Sequence, residues 1–151
     1  MTGARLQAAV QAEPFVAEAL QAALLEPAAG AVVTFTGYVR AASDGAAVTA
    51  LELEHYPGMT ERSLLSILQQ ASSRWPLLAA TVVHRVGWLP LGEPIVWVGS
   101  CASHRGDAFA ACEFVMDYLK TDAPFWKKEH GPDGARWVES RATDAQRARR
   151  W

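Results

Sequence analysis

Cysteine is scarce in this 151-residue chain: Cys101 and Cys112 are its only two. That is too few for a disulfide framework and fits a reducing compartment. Long apolar runs are also missing. None approaches the roughly 18 residues needed to span a bilayer. The opening MTGARLQAAVQAEPF has no apolar core and carries Glu13 and Pro14, so neither a membrane anchor nor a secretory leader is expected. A cytoplasmic protein is the economical expectation. An excess of one charge is lacking too: 14 Lys and Arg against 16 Asp and Glu leave a net charge of -2. No global field favours nucleic acid, so any anion site must come from local clustering. There is no G-x-G-x-x-G, Walker A or G-x-S-x-G motif. His55, His84, His104 and His130 show no metal-ligand spacing, so no metal site is expected, and structural or surface roles suit three of them.

What is present is an ordinary globular balance, 50% hydrophobic and 20% charged. The length suits one domain over 1–151, without repeats or linkers. Helical spacing predicts helices over 15–25, 57–75 (with Thr60 as cap) and 106–122, and a short basic one over 143–151. Alternation predicts strands over 31–40 and 48–56, near neighbours or a hairpin, with Arg40 on the wet face of the first. Further strands are expected over 81–89 and 94–102, and FWKKEH, GPDG and ARWVES read as a final hairpin. The class is α+β.

Chemistry concentrates near DYLKTDAPFWKKEH, residues 117–130. On the 106–122 helix, Phe109, Cys112, Val115, Met116 and Leu119 form one apolar stripe. Lys120 falls at its edge, either partly desolvated with a lowered pKa or snorkelling at the helix C-terminus. A second apolar side, Ala111, Phe114 and Tyr118, points to an oligomer contact or to packing within the subunit. In a strand over 125–130, Phe125, Lys127 and Glu129 share one face, and Trp126, Lys128 and His130 the other. Phe125 and Trp126 read as walls beside the amines. The loop before the helix carries His104 and Arg105, where unpaired helix N–H groups favour an anion; capping by Ser103 or Asp107 is the plainer alternative. Cys101 lies four residues before Arg105, which does not fit the Cys-x5-Arg phosphate loop, and Cys112 reads as core. A persulfide sulfurtransferase on Cys101 and a non-catalytic module binding a phosphorylated ligand or a partner tail are the alternatives to a lysine-based enzyme. The six tryptophans read as core rather than a nucleic-acid stacking surface, because no basic stripe accompanies them.

The blocks GAVVTFTGYVR, LELEHYPGMTE, HRVGWLPLGEPIVWVGSCASHRGDAFAACEFVMDYLKTDAPFWKKE and RWVESR together resemble the MoaE family, the catalytic (large) subunit of molybdopterin synthase. The match runs from about residue 14 to the C-terminus. The resemblance implies an α/β hammerhead-type fold with antiparallel strands and an additional C-terminal β-hairpin. It also implies a homodimer that binds two small ubiquitin-like subunits, making a heterotetramer. Each small subunit would insert a C-terminal Gly-Gly thiocarboxylate. Two sulfurs would pass to cyclic pyranopterin monophosphate (precursor Z), forming the dithiolene of molybdopterin. No metal or redox cofactor is implied, because the donor already carries activated sulfur. The family's essential lysines match Lys120 and Lys127, the second followed by Lys128 and Glu129. Its other basic positions match Arg40, His104, Arg105 and Arg141, and its pocket lining matches Phe35 and Met116, with Tyr38 beside Arg40. On this resemblance Lys120 is the acid/base nearest the sulfur and Lys127 orients substrate. His104 and Arg105 hold the phosphate, with Arg40, His104 or Arg141 able to reach in from the neighbouring subunit.

Overall fold

In a computed structural model that describes residues 3–43, 45–138 and 142–151, helices separate successive groups of strands. The order is β1 (Arg5–Gln11), α1 (Ala17–Leu24), β2 (Ala31–Tyr38), β3 (Ala42–Ser43), β4 (Ala46–Ala47), β5 (Ala50–His55) and α2 (Met59–Arg74). Then come β6 (Leu77–Arg85), β7 (Gly87–Pro90), β8 (Pro94–Ala102), α3 (Arg105–Asp122), β9 (Phe125–Gly131), β10 (Gly134–Val138) and α4 (Ala142–Arg149). One sheet has the order β1-β6-β8-β2, a second β10-β9-β5-β7, and β3-β4 is a small separate hairpin. All pairings are antiparallel except β1 with β6.

Period-two alternation explains how the first sheet is covered on both faces. From β8, Val96, Val98 and Ala102 join Leu64, Leu68, Phe114 and Val115 in the core under α2 and α3. The intervening Trp97 and Cys101 face Leu24 and Leu20 of α1. Gly99 is demanded by that second packing, since a Cβ there would collide with the Trp97 ring and Leu24. The second sheet buries Leu51, Leu53 and Leu89 with Val39 and Val48, and Phe125 packs against them.

Chain crossings between the two sheets create a seam. The expected single strand over 81–89 is two strands: β6 ends at Arg85, Gly87 takes a positive φ of 88°, and β7 joins the other sheet. Arg85 pins the break from the buried side, donating to the Ala12 carbonyl at 3.1 Å and the Pro94 carbonyl at 3.1 Å. Likewise the segments 31–40 and 48–56 do not pair with each other. A register shift between Gly37 and Tyr38 ends β2 in the first sheet, while β5 lies in the second. Thr60 is inside α2 rather than its cap; its hydroxyl donates to the Tyr56 carbonyl at 2.8 Å. At the start of that helix the Glu61 carboxylate accepts from the Gly58 N–H at 3.1 Å.

Two readings of aromatic residues need correction. Trp97 is core, but Trp88 is 56% exposed on the outer face of the second sheet, its ring 4.4 Å from that of His130. Phe109, expected on the buried stripe of α3, is 62% exposed. Phe114, on the other apolar side, is fully buried and packs edge-on against Trp75 and Trp151. That side is therefore filled within the subunit.

Candidate active site

The seam encloses a cavity of about 540 Å³. Every crossing delivers a side chain to it: Phe35, Tyr38 and Arg40 from the end of β2, His84 from the end of β6, and Lys120 from the last turn of α3. Phe125, Lys127 and Glu129 come from β9 and Asp144 from α4. Alternation along β9 sends Lys128 the other way, where its ammonium lies 5.3 Å from the Trp137 ring. Trp126 also faces outward, edge-on to Tyr56 at 4.7 Å, so of the two expected walls only Phe125 lines the cavity.

Charge in this cavity is uneven. Lys127 is half-buried, and its pKa is pushed down to about 8, first by burial and then by the neighbouring Lys120 ammonium, with Arg40 adding to the effect and Asp144 opposing it. Lys120 itself is exposed. The desolvation that helical spacing suggested for Lys120 therefore falls on Lys127. Glu129 is 7% exposed and faces Arg136 across the β9–β10 pair at 3.7 Å. His84 is 2% exposed, with Nδ1 2.8 Å from the Arg85 carbonyl and its ring stacked 3.8 Å from Phe125. Burial is the largest influence on it and pushes its pKa down to about 3, so the ring is neutral.

A second hollow, about 410 Å³ and mostly apolar, adjoins the first and shares Phe35, Lys120 and Asp144 with it. Val33, Phe109, Cys112 and Met116 form its walls. Helix α4 closes one side, held to α3 by charged contacts. Arg147 donates to Glu113 at 2.8 Å and to Asp117 at 3.2 Å, Arg150 donates to Asp117 at 2.9 Å, and Trp151 Nε1 donates to Asp117 at 2.7 Å. Lys120 stands where the two hollows meet.

Of the residues singled out from sequence, Arg40, Tyr38, Phe35, Lys120, Lys127 and Glu129 line the larger cavity, and Met116 lines the smaller. His104 and Arg105 line neither. They are exposed at the opposite end of α3 from Lys120, roughly 22 Å away at the rise of an α-helix. Arg141 lies outside the described residues. Cys101 is fully buried among Leu24, Ala79 and Trp97, away from both hollows, which leaves a persulfide there without access to substrate. Cys112 is core, its thiol pushed up to about 12 chiefly by burial. Sequence reasoning missed His84 and Asp144. A polar residue inside the apolar run TVVHRV was a faint signal for the first; nothing in the sequence marked the second.

The family model described as "MoaE protein" matches residues 10–122. The molybdopterin synthase catalytic subunit of Escherichia coli is 58% identical over 122 residues, 81% of either chain. That of Vibrio cholerae is 54% identical over 143 residues, 94% of this chain and 95% of its own. Among solved structures, the molybdopterin biosynthesis MoaE protein of Burkholderia ambifaria superposes with a TM-score of 0.82 at 52% identity, covering 98% of this chain and 97% of that one. A complex of subunits 1 and 2 of the molybdopterin-converting factor of Helicobacter pylori shares the fold, with a TM-score of 0.69 at 21% identity over 90% and 91% of the two chains.

Proposed function

The chain belongs to the MoaE family of molybdopterin synthase catalytic subunits, and from that premise we propose which of its side chains carry out sulfur transfer. Its donor is the C-terminal Gly-Gly thiocarboxylate of a small ubiquitin-like subunit, and its acceptor is cyclic pyranopterin monophosphate. The observation that carries the assignment is the Lys120–Lys127 pair in one cavity, one amine open and the other desolvated.

The thiocarboxylate sulfur attacks a side-chain carbon of the pterin, forming a C–S bond while the bond from that carbon to the cyclic phosphate breaks and its electron pair leaves on oxygen. Substrate and small subunit are then joined through an acyl–sulfur bond. Water attacks the acyl carbon, its proton passes to the Lys127 amine, and the acyl–sulfur bond breaks. The small subunit departs as an ordinary carboxylate and the sulfur stays on the pterin. A pKa near 8 suits Lys127 to this exchange, so the proton-transfer role expected of Lys120 moves to Lys127. Lys120, where the hollows meet, supplies positive charge to the developing acyl oxyanion. Arg40 steers the phosphate, Phe35 and Met116 wall the path of the tail, and Tyr38 and Glu129 border the substrate; Lys128 flanks from outside, and Arg141 keeps the substrate-binding role that the family resemblance gives it.

His104 and Arg105 serve the cavity of the neighbouring subunit in the homodimer, which with two small subunits makes a heterotetramer. The chain acts as one domain over 1–151. No described helix is long and apolar enough to cross a membrane, both cysteines are free, and we place the protein in the cytoplasm.

The test is turnover with thiocarboxylated small subunit and pterin substrate, read by mass spectrometry. Removing the Lys120 charge should slow turnover about 10²–10³-fold with small-subunit binding retained. Full activity of Lys120→Ala would sink its role, and absence of product from the wild type would leave only a binding module.

A further inference from the structure

Of the ionisable groups lining the cavity, His84 and Asp144 have no work in the proposed chemistry, and His84 is the buried one. Its Nδ1 lies 2.8 Å from the Arg85 carbonyl oxygen. That oxygen can only accept, so Nδ1 carries the hydrogen and Nε2 of the neutral ring is a bare acceptor. The stack on Phe125, 3.8 Å between centroids and 18° between planes, keeps the ring from swinging. Lys120 and Lys127 act on it as nearby charges, and among the described residues its ring makes one hydrogen bond, through Nδ1. Among the described residues the sealed side-chain atoms without a hydrogen-bond partner are His55 Nδ1, Glu61 Oε1 and Glu129 Oε2. His84 Nε2 is not one of them, and the residue opens on the cavity.

The neighbouring cations, Arg40, Lys120 and Lys127, are donors that suit an anion. An acceptor set rigidly among them calls for a ligand that also presents a donor. We propose that His84 is a substrate-recognition residue, its Nε2 accepting a hydrogen bond from a ring N–H of the pterin. This rests on the reading of the cavity as the sulfur-transfer site. Burial, which holds the ring neutral, leaves the acceptor available across the working pH range.

Steady-state turnover of the complex with thiocarboxylated small subunit, against pterin concentration, tests this in wild type, His84→Phe and His84→Gln. His84→Phe should raise the KM for pterin roughly tenfold with kcat changed far less, since one hydrogen bond to a buried acceptor is lost. His84→Gln, which keeps an acceptor, should recover most of it, and affinity for the small subunit should not move in either. Nitrogen-15 NMR of histidine-labelled wild type gives a reading independent of how the variants fold. The His84 Nε2 resonance should shift on adding pterin substrate, and the shift should be absent with inorganic phosphate alone. An unchanged KM in folded His84→Phe, or an unmoved resonance in a wild type that turns over, overturns the proposal and leaves the sulfur-transfer reading standing. A wild type that forms no product removes that reading, and this one with it.

Discussion

Lys127 owes its chemistry to where β9 places it. A lysine on open surface is protonated at neutral pH, whereas burial and a neighbouring ammonium bring this one to about 8. As the amine is the form that accepts the proton, kcat/KM should rise with pH and level off above about 8. Lys127→Arg, which keeps the charge and cannot lose its proton, should abolish that limb and lower turnover about 10²–10⁴-fold, as a pH–rate profile would show. An intact limb in Lys127→Arg would move the proton transfer elsewhere. The alternation of FWKKEH was enough to separate Lys127 from Lys128 by face, and the structure keeps that separation. It was not enough to say which lysine loses water. That depends on how β9 lies beside the end of α3 and on His84 arriving from β6, contacts between residues far apart in the chain.

Helix α4 is eight residues long, too short to hold its shape alone, so its hold on α3 decides whether the smaller hollow keeps its wall. Burial opposes the Asp117 charge, but hydrogen bonds from Trp151, Arg150 and Arg147 outweigh it and hold the carboxyl below its usual range. A depressed carboxylate stabilises above its ordinary pKa and loses that contribution as pH falls through the depressed value. Acidification should therefore release α4 first, and Asp117→Asn should release it at neutral pH, weakening the contact by about 1–3 kcal/mol. Hydrogen exchange confined to α4 would report either. Phe114→Ala, which empties the site where Trp75 and Trp151 converge, should instead lower global stability by about 3–5 kcal/mol, read as a fall in Tm. The long helices were legible because their apolar positions recur at helical spacing. Strand β1 was not: RLQAAVQ has helix-forming composition, and parallel pairing with β6 overrides it. The break between β6 and β7 was also hidden, since one apolar run continues through both.

At the scale of the assembly, five of the candidate basic residues fall into two groups. Arg40, Lys120 and Lys127 surround the cavity, while His104 and Arg105 stand at the far end of α3. A homodimer that brings one subunit's α3 N-terminus to the other's cavity reunites them. Mixing Lys120→Ala chains with Arg105→Ala chains should then regenerate one intact site per heterodimer, so activity of the mixture should exceed that of either variant alone. If both sets act within one chain, no mixture recovers. The rise of the helix expected over 106–122 already sets His104 and Arg105 apart from Lys120; what the sequence could not show is that Arg40 and Lys127, from β2 and β9, converge on the Lys120 end. The most direct test of the account is the sulfur-transfer assay itself: wild type and Lys127→Ala, each with thiocarboxylated small subunit and cyclic pyranopterin monophosphate, with products weighed by mass spectrometry. The account predicts dithiolene product from the wild type and a loss of about 10²–10⁴-fold in Lys127→Ala with small-subunit binding intact; equal rates from the two proteins would contradict it.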